Sequence, residues 1–268
     1  MPRTFVHQDP AGCQRLITKL AKVCGTVSAS DQVTKEQLRD LARNPAKDPT
    51  RFITKNNQSF SETCSANSAD YCLAVWTWQH TGLIHDYSRL WLYLQGKLKW
   101  DTRTGRFPDN GCSIPSIAET LYEKGVPFET FWPFDPDASH WPTAEQFRRA
   151  QTTELTAAAN ANRCRSMTPI SEDFDVTIAR VALGDSFFWG HGWPFPNGGS
   201  GHATCGAWII WDDSTRDFVL KMGNSHKDRE IFTCTRRQYA SALRSGNYGG
   251  YHLEGNLDVR FRLNQLVM

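Results

Sequence analysis

No stretch of this 268-residue chain is apolar for long enough to span a bilayer, and its first ten residues, Met-Pro-Arg-Thr-Phe-Val-His-Gln-Asp-Pro, hold no apolar core of signal-peptide length. The expectation is a soluble protein without a membrane partner, in the cytoplasm of the cell that makes it or that a virus infects, with virion association as the alternative. Net charge is scarce too. Thirty basic residues against twenty-eight acidic ones leave +2, too little to make nucleic acid the main partner. Internal repeats and low-complexity tracts are absent, so solenoid and propeller architectures drop out. Tight Cys-x₂₋₄-Cys pairs are also missing. Cys64, Cys72, His80 and His85 can be imagined as a zinc set, but two of them fall mid-helix at unsuitable spacing, and no metal or other cofactor is expected. The eight cysteines are irregularly spaced, and a chain of this size needs no stapling, so they read as reduced thiols.

What is present is ordinary globular composition, 40% hydrophobic and 22% charged, with ten Trp and fifteen Phe that imply aromatic packing or an aromatic-lined groove. Residues 1–50 read as a helical N-terminal extension, with short amphipathic helices over 14–23 and 34–42. Such a segment suits a packed arm, a partner-binding arm or an inhibitory pro-segment. Residues 51–268 read as the main domain. Helices are expected over 64–80, over 87–95 with Asp86 as cap, and after Ser113, with Pro115 in the first turn and Gly125 as the stop. Two more are expected over 143–160 and within 171–184. The periodicity then changes to that of strands: 187–190, then 202–211 and 216–223 joined by the turn Asp212-Asp213-Ser214. A helix near 236–243 and a strand over 257–263 end the chain. Helices first and an antiparallel sheet second give an α+β, two-lobed architecture.

The chemistry gathers on residues 58–72, a polar loop running into a buried helix. Cys64 falls in the first turn, near unpaired backbone N–H groups and the positive end of the macrodipole, both of which favour a thiolate. Taken alone, Cys64 is as well described as a small core hydrophobe, His202 as a structural histidine and Asn224 as a strand-end turn residue. Their order is what carries information. Gln58 precedes Cys64 with five residues between, His202 opens the first long strand within Gly201-His202-Ala203, and Asn224 ends the second strand within Asn224-Ser225-His226-Lys227. Between them run Asn110-Gly111-Cys112, Gly125-Val126-Pro127-Phe128-Glu129 and Trp132-Pro133-Phe134.

This ordered set resembles the papain-like cysteine peptidases over roughly residues 50–265. The resemblance implies a papain-like fold and a protein or peptide substrate. It makes Cys64 the nucleophile and His202 the base that takes its proton, then returns it to the leaving amine. Asn224 orients the imidazole, and Gln58 with the Cys64 backbone N–H forms the oxyanion hole.

The departures also generate expectations. Ser65 stands where the family has a Trp, so the helix start should be less buried. Glu62 brings a negative charge toward the thiol. Ser61 stands at one half of the family's common disulfide, so Cys112, at the other half, is expected as a thiol. His226 replaces the Trp that shields the His–Asn hydrogen bond, which leaves that bond wetter. Ser113-Ile114-Pro115 follows Cys112 where a Gly-Gly substrate-pairing strand would run, so the sequence assigns no specificity. Cys205, on the opposite strand face from His202, reads as core. Trp189, Trp193 and Phe195 either wall a groove or pack. Two other readings accompany the peptidase: a related thiol amidase or isopeptidase, and a catalytically degraded scaffold that binds partners or builds a virion.

Overall fold

The structure, a computed structural model, describes residues 33–53, 57–98, 105–164, 166–192, 201–225, 231–245 and 247–254. The sequence expectations for 14–23 and 257–263, and for Trp193, Phe195 and His226, lie outside the described residues.

Helix starts follow local hydrogen-bonding chemistry. Thr34 and Gln37 form a reciprocal capping box that opens α1 (Lys35–Arg43). Ser113 accepts from the Ser116 N–H at 3.2 Å and opens α4 (Ile114–Glu123), which runs out at Gly125 in the left-handed region, φ 75°. A Cβ on Gly125 would lie 2.0 Å from the Ala159 carbonyl oxygen, so the close approach needs glycine as well. Two expectations are corrected. α3 (Arg89–Leu98) is capped by Ser88, whose hydroxyl accepts from the Trp91 N–H, and not by Asp86. The helix expected over 143–160 is two helices, α5 (Ala144–Ala150) and α6 (Thr153–Ala161), because Thr152 adopts an extended backbone and caps a fresh start through the Leu155 N–H.

α2 (Cys64–Thr81) is buried from its first residue to Thr77. It has no wet face because β3 (His202–Asp212) and β2 (Phe187–His191) pack along it, and Cys64, Ala66, Ala69, Ala203, Cys205 and Ala207 share one core. Small side chains on both elements allow the close approach. The sheet is antiparallel, in the order β1 (Ser166–Pro169), β6 (Asn247–Glu254), β2, β3, β4 (Asp217–Gly223), β5 (Ile231–Thr235). β1, β5 and β6 were not expected from the sequence.

A second core joins α1, α7 (Phe174–Ala182) and α8 (Arg236–Ser245) to the sheet through Leu38, Ile178, Phe187, Trp189, Ile209, Phe218 and Tyr239. Trp189 is therefore a packing residue, ringed by Phe187, His191 and Tyr239. An ion pair from Arg43 to Asp213 fastens the described part of the extension to the turn of the β3–β4 hairpin, and one from Lys221 to Asp48 holds it further along β4, opposite Trp208. Asp212 and His202 are ten residues apart on β3, about 33 Å at the usual strand rise. Among the described residues, no helix is long and apolar enough to cross a membrane.

Candidate active site

Cys64 is the first residue of α2, and its N-cap, Thr63, makes no side-chain cap bond. The Thr63 hydroxyl is engaged instead by Ser61 Oγ at 2.7 Å and by Asn67 Nδ2 at 2.9 Å. The expectation of a less buried helix start is overturned: Cys64 and Ser65 are both 0% exposed. Ser65 lacks the bulk of the family's Trp, and β3 packs closely along the helix, with Ala203 beside Cys64 in one core. Burial is also the largest influence on that thiol and pushes it up to about 12, with Glu62 adding in the same direction and the N–H groups of Ala203 and Ser65 opposing. The helix end does favour the thiolate, but desolvation outweighs it.

His202 opens β3, and Asn224 follows the last residue of β4. Because these strands pair antiparallel, with Cys205 opposite Gly223, the two residues meet at the same end of the hairpin. Gly223 lets that end approach α2: a Cβ there would lie 2.5 Å from the Tyr71 ring. The His202 Nε2–H donates to Asn224 Oδ1 at 2.7 Å, both side chains being buried. In the neutral imidazole this bond fixes the hydrogen on Nε2 and the basic lone pair on Nδ1. Cys64 and His202 thus belong to one neighbourhood, joined by the peptide unit that follows His202.

Gln58 is buried and pinned at both ends of its amide. Its Nε2 donates to the Ser61 carbonyl at 2.8 Å, its Oε1 accepts from the Ser225 hydroxyl, and its backbone N–H donates to the Ser225 carbonyl at 3.1 Å. Nε2 carries two hydrogens, so one of them remains for an oxygen bound at the helix start. Ser225, one residue beyond Asn224, ties the Gln58 loop to the sheet lobe. Sequence reading left it without a role, although its position directly after Asn224 was the available signal. Asp109 was missed as well; it accepts from the Glu62 N–H at 2.7 Å and fixes the residue two before Cys64.

The zinc set does not assemble: among the described residues no group of three or more metal-ligating side chains exists. Cys72 contacts Ser186 Oγ at 3.3 Å, and His80 Nδ1 bonds the Trp76 carbonyl in its own helix. Cys205 is buried in the core, as expected, and Cys112 is a thiol, also as expected.

No family model and no curated protein sequence matches the chain. Solved structures do. Xylellain, a cysteine protease from Xylella fastidiosa, superposes with a TM-score of 0.63 over 95% of this chain and 97% of its own, at 16% identity. The chain has the papain-like fold. Digestive procathepsin L 3 of Tenebrio molitor larval midgut shares that papain-like fold at a TM-score of 0.58 and 10% identity, over 92% of this chain and 94% of its own. The proform of the ragweed pollen cysteine protease Amb a 11 shares it at 0.57 and 11% identity, over 91% of this chain and 76% of its own. The likeness is one of fold, so within the papain-like frame the chemistry has to be argued from this chain's own side chains.

Gln58 offers the cleanest separation of roles in that frame. If Gln58 has the oxyanion role that the resemblance implies, Gln58→Ala lowers kcat for peptide hydrolysis by about 10²-fold, the usual cost of one oxyanion donor, while alkylation of Cys64 by iodoacetamide, which forms no oxyanion, changes little. Parallel loss of both would mean that Gln58 only props the loop.

Proposed function

We propose that the chain is a cysteine peptidase that hydrolyses peptide bonds through Cys64. At rest the pair is a thiol beside a neutral imidazole, since burial disfavours an isolated thiolate. As the sulfur attacks the substrate carbonyl carbon, its proton passes to Nδ1 of His202, and Asn224 holds the ring through Nε2–H. The oxygen that becomes negative is received by the remaining Nε2–H of Gln58 and the backbone N–H of Cys64. The His202 imidazolium then protonates the leaving amine. Water, deprotonated by the same imidazole, hydrolyses the thioester and restores the thiol. The described part of the extension, held along the β3–β4 hairpin by Arg43 and Asp48, acts in this reading as an arm and not as a plug.

The observation that carries the proposal is the 2.7 Å bond from His202 to Asn224, on a strand that packs along the helix Cys64 opens, with Ala203 and Cys64 in one core. Limiting-dose iodoacetamide labelling of the native protein, read by mass spectrometry over all eight cysteines, tests it. Fast, selective modification of Cys64 is expected. The complete burial of Cys64 favours a second reading, an inert scaffold, and labelling no faster than that of an ordinary cysteine would establish it.

Glu62 provides an independent check. Its charge raises the thiol, so Glu62→Gln is expected to move the pH midpoint of Cys64 alkylation downward and to speed labelling at neutral pH. An unchanged midpoint would show that the carboxylate does not act on the sulfur.

A further inference from the structure

Two features of the loop between Gln58 and Cys64 do nothing for folding. Ser59 has φ 54°, in the left-handed region; among the described residues only Arg216, in the β3–β4 turn, is another non-glycine with positive φ. The residue after it, Phe60, is 94% exposed, whereas the next most exposed large apolar side chains among the described residues, Ile84, Phe131 and Leu183, stand at 46%. A phenyl ring so exposed adds little to the core, and a glycine at 59 would make the same turn without strain.

The loop is nevertheless firmly built. Ser61 N–H donates to the Gln58 carbonyl at 3.1 Å, Ser61 Oγ donates to it at 2.7 Å, and Gln58 Nε2 returns a bond to the Ser61 carbonyl at 2.8 Å. Asn57 Oδ1 accepts from the Ser59 N–H at 2.8 Å, and Ser225 holds Gln58 from the other lobe. The ring is therefore displayed by a rigid turn.

Its place in the chain puts it beside the candidate site. The i→i+3 bond closes a turn from Gln58 to Ser61 whose ends are within about 7 Å, so Phe60 stands close to the side chain proposed to receive the oxyanion. An extended peptide advances about 3.3 Å per residue, so a side chain within roughly two residues of the bond being cleaved reaches the ring. The ring's chain neighbours Asn57, Ser59, Ser61 and Glu62 are polar, which suits one apolar side chain better than a flat interface or a bilayer.

We propose that Phe60 is a specificity residue that binds a large apolar side chain of the polypeptide substrate, within about two residues of the scissile bond. This rests on the peptidase reading of the same site.

The test compares the full-length wild-type chain, Phe60→Ala and Phe60→Leu on a mixed peptide library read by mass spectrometry, with iodoacetamide labelling of Cys64 in parallel. Wild type is expected to cleave peptides carrying Phe, Tyr, Trp or Leu beside the broken bond. Phe60→Ala is expected to raise KM for those peptides about tenfold, with kcat little changed, and to level the preference; Phe60→Leu retains most of it. All three should melt alike and label alike, because the ring is in solvent and a small reagent does not touch it. Equal KM values and equal sequence preference in wild type and Phe60→Ala would overturn the inference and leave the peptidase standing. Absence of both cleavage and fast Cys64 labelling in the wild type would overturn the peptidase reading, and this inference with it.

Discussion

His202→Ala is expected to lower peptide hydrolysis by about 10³-fold or more and to remove the fast alkylation of Cys64 along with it. The size follows from the thiol's surroundings. With the thiol pushed up to about 12, an unaided Cys64 at pH 7 is ionised in only about one molecule in 10⁵, so its reactivity depends almost wholly on a base that accepts the proton as the sulfur attacks. In the proposed reading His202 has that task, and its Nε2–H is held by Asn224 Oδ1. Asn224→Ala should fall between wild type and His202→Ala, since it loosens the ring without removing the base. Comparing labelling rates at equal thermal stability decides the matter. Full labelling speed in His202→Ala would mean that the burial seen at Cys64 does not govern its chemistry.

Acid is expected to destabilise the fold steeply, well before the carboxylates titrate. His191 and His252 are completely buried, and burial pushes both imidazoles down to about 3; Arg180 adds to the effect at His252. Each is hydrogen-bonded through one ring nitrogen. His191 Nε2 meets Thr204 Oγ1 at 3.0 Å and lies against Trp189, while His252 Nδ1–H donates to the Asp185 carbonyl at 2.8 Å and lies against Phe187. In the unfolded chain both return to the ordinary histidine value near 6.5 and take up protons there. The folded state stays neutral, so this contribution to stability is complete above pH 6.5 and is lost as pH falls toward 3. At pH 5 each ring costs about 2 kcal/mol relative to neutral pH, and the pair together about 4, against a typical total of 5–15. Urea midpoints taken from pH 7.5 to 4.5 should stay nearly level down to about pH 6.5 and fall below it, and His252→Gln should remove about half of that slope. A flat midpoint between pH 7 and 5 would show that water reaches both rings.

The sequence was most readable where one local rule decided the outcome. Thr34 with Gln37, and Ser113 with Pro115 and Gly125, announce their helices by hydrogen-bonding side chains and fixed backbone angles, and those helices lie where expected. The β3–β4 hairpin was legible through its Val, Ile, Phe and Trp content. β6 was not. Its segment Asn-Tyr-Gly-Gly-Tyr-His-Leu-Glu has low strand propensity at the glycines, yet the sheet demands them: Gly249 sits at φ 95°, and a Cβ on Gly250 would lie 2.8 Å from Ile170. The break at Thr152 was hidden because a threonine inside an alanine-rich run is read equally well as helix interior or as cap.

The candidate site divides in the same way. Gln58, Cys64, His202 and Asn224 were nameable from order and spacing, and the structure brings their loops and strands to one end of the hairpin. The burial of the helix start was not legible, since it depends on how closely β3 approaches, which no single residue near Cys64 encodes. Ser225 was invisible for a related reason: it matters through its bonds to Gln58, a residue far away in sequence.

That tie between Gln58 and Ser225 has an evolutionary side. Two hydrogen bonds cross between the lobes there, one through the backbone and one through a hydroxyl and an amide that only a few residue types reproduce. Loss of either side chain leaves a buried polar group on the other. Lineages descended from this chain should therefore change positions 58 and 225 together or not at all, whereas Phe60, exposed two residues away, can drift with every new substrate.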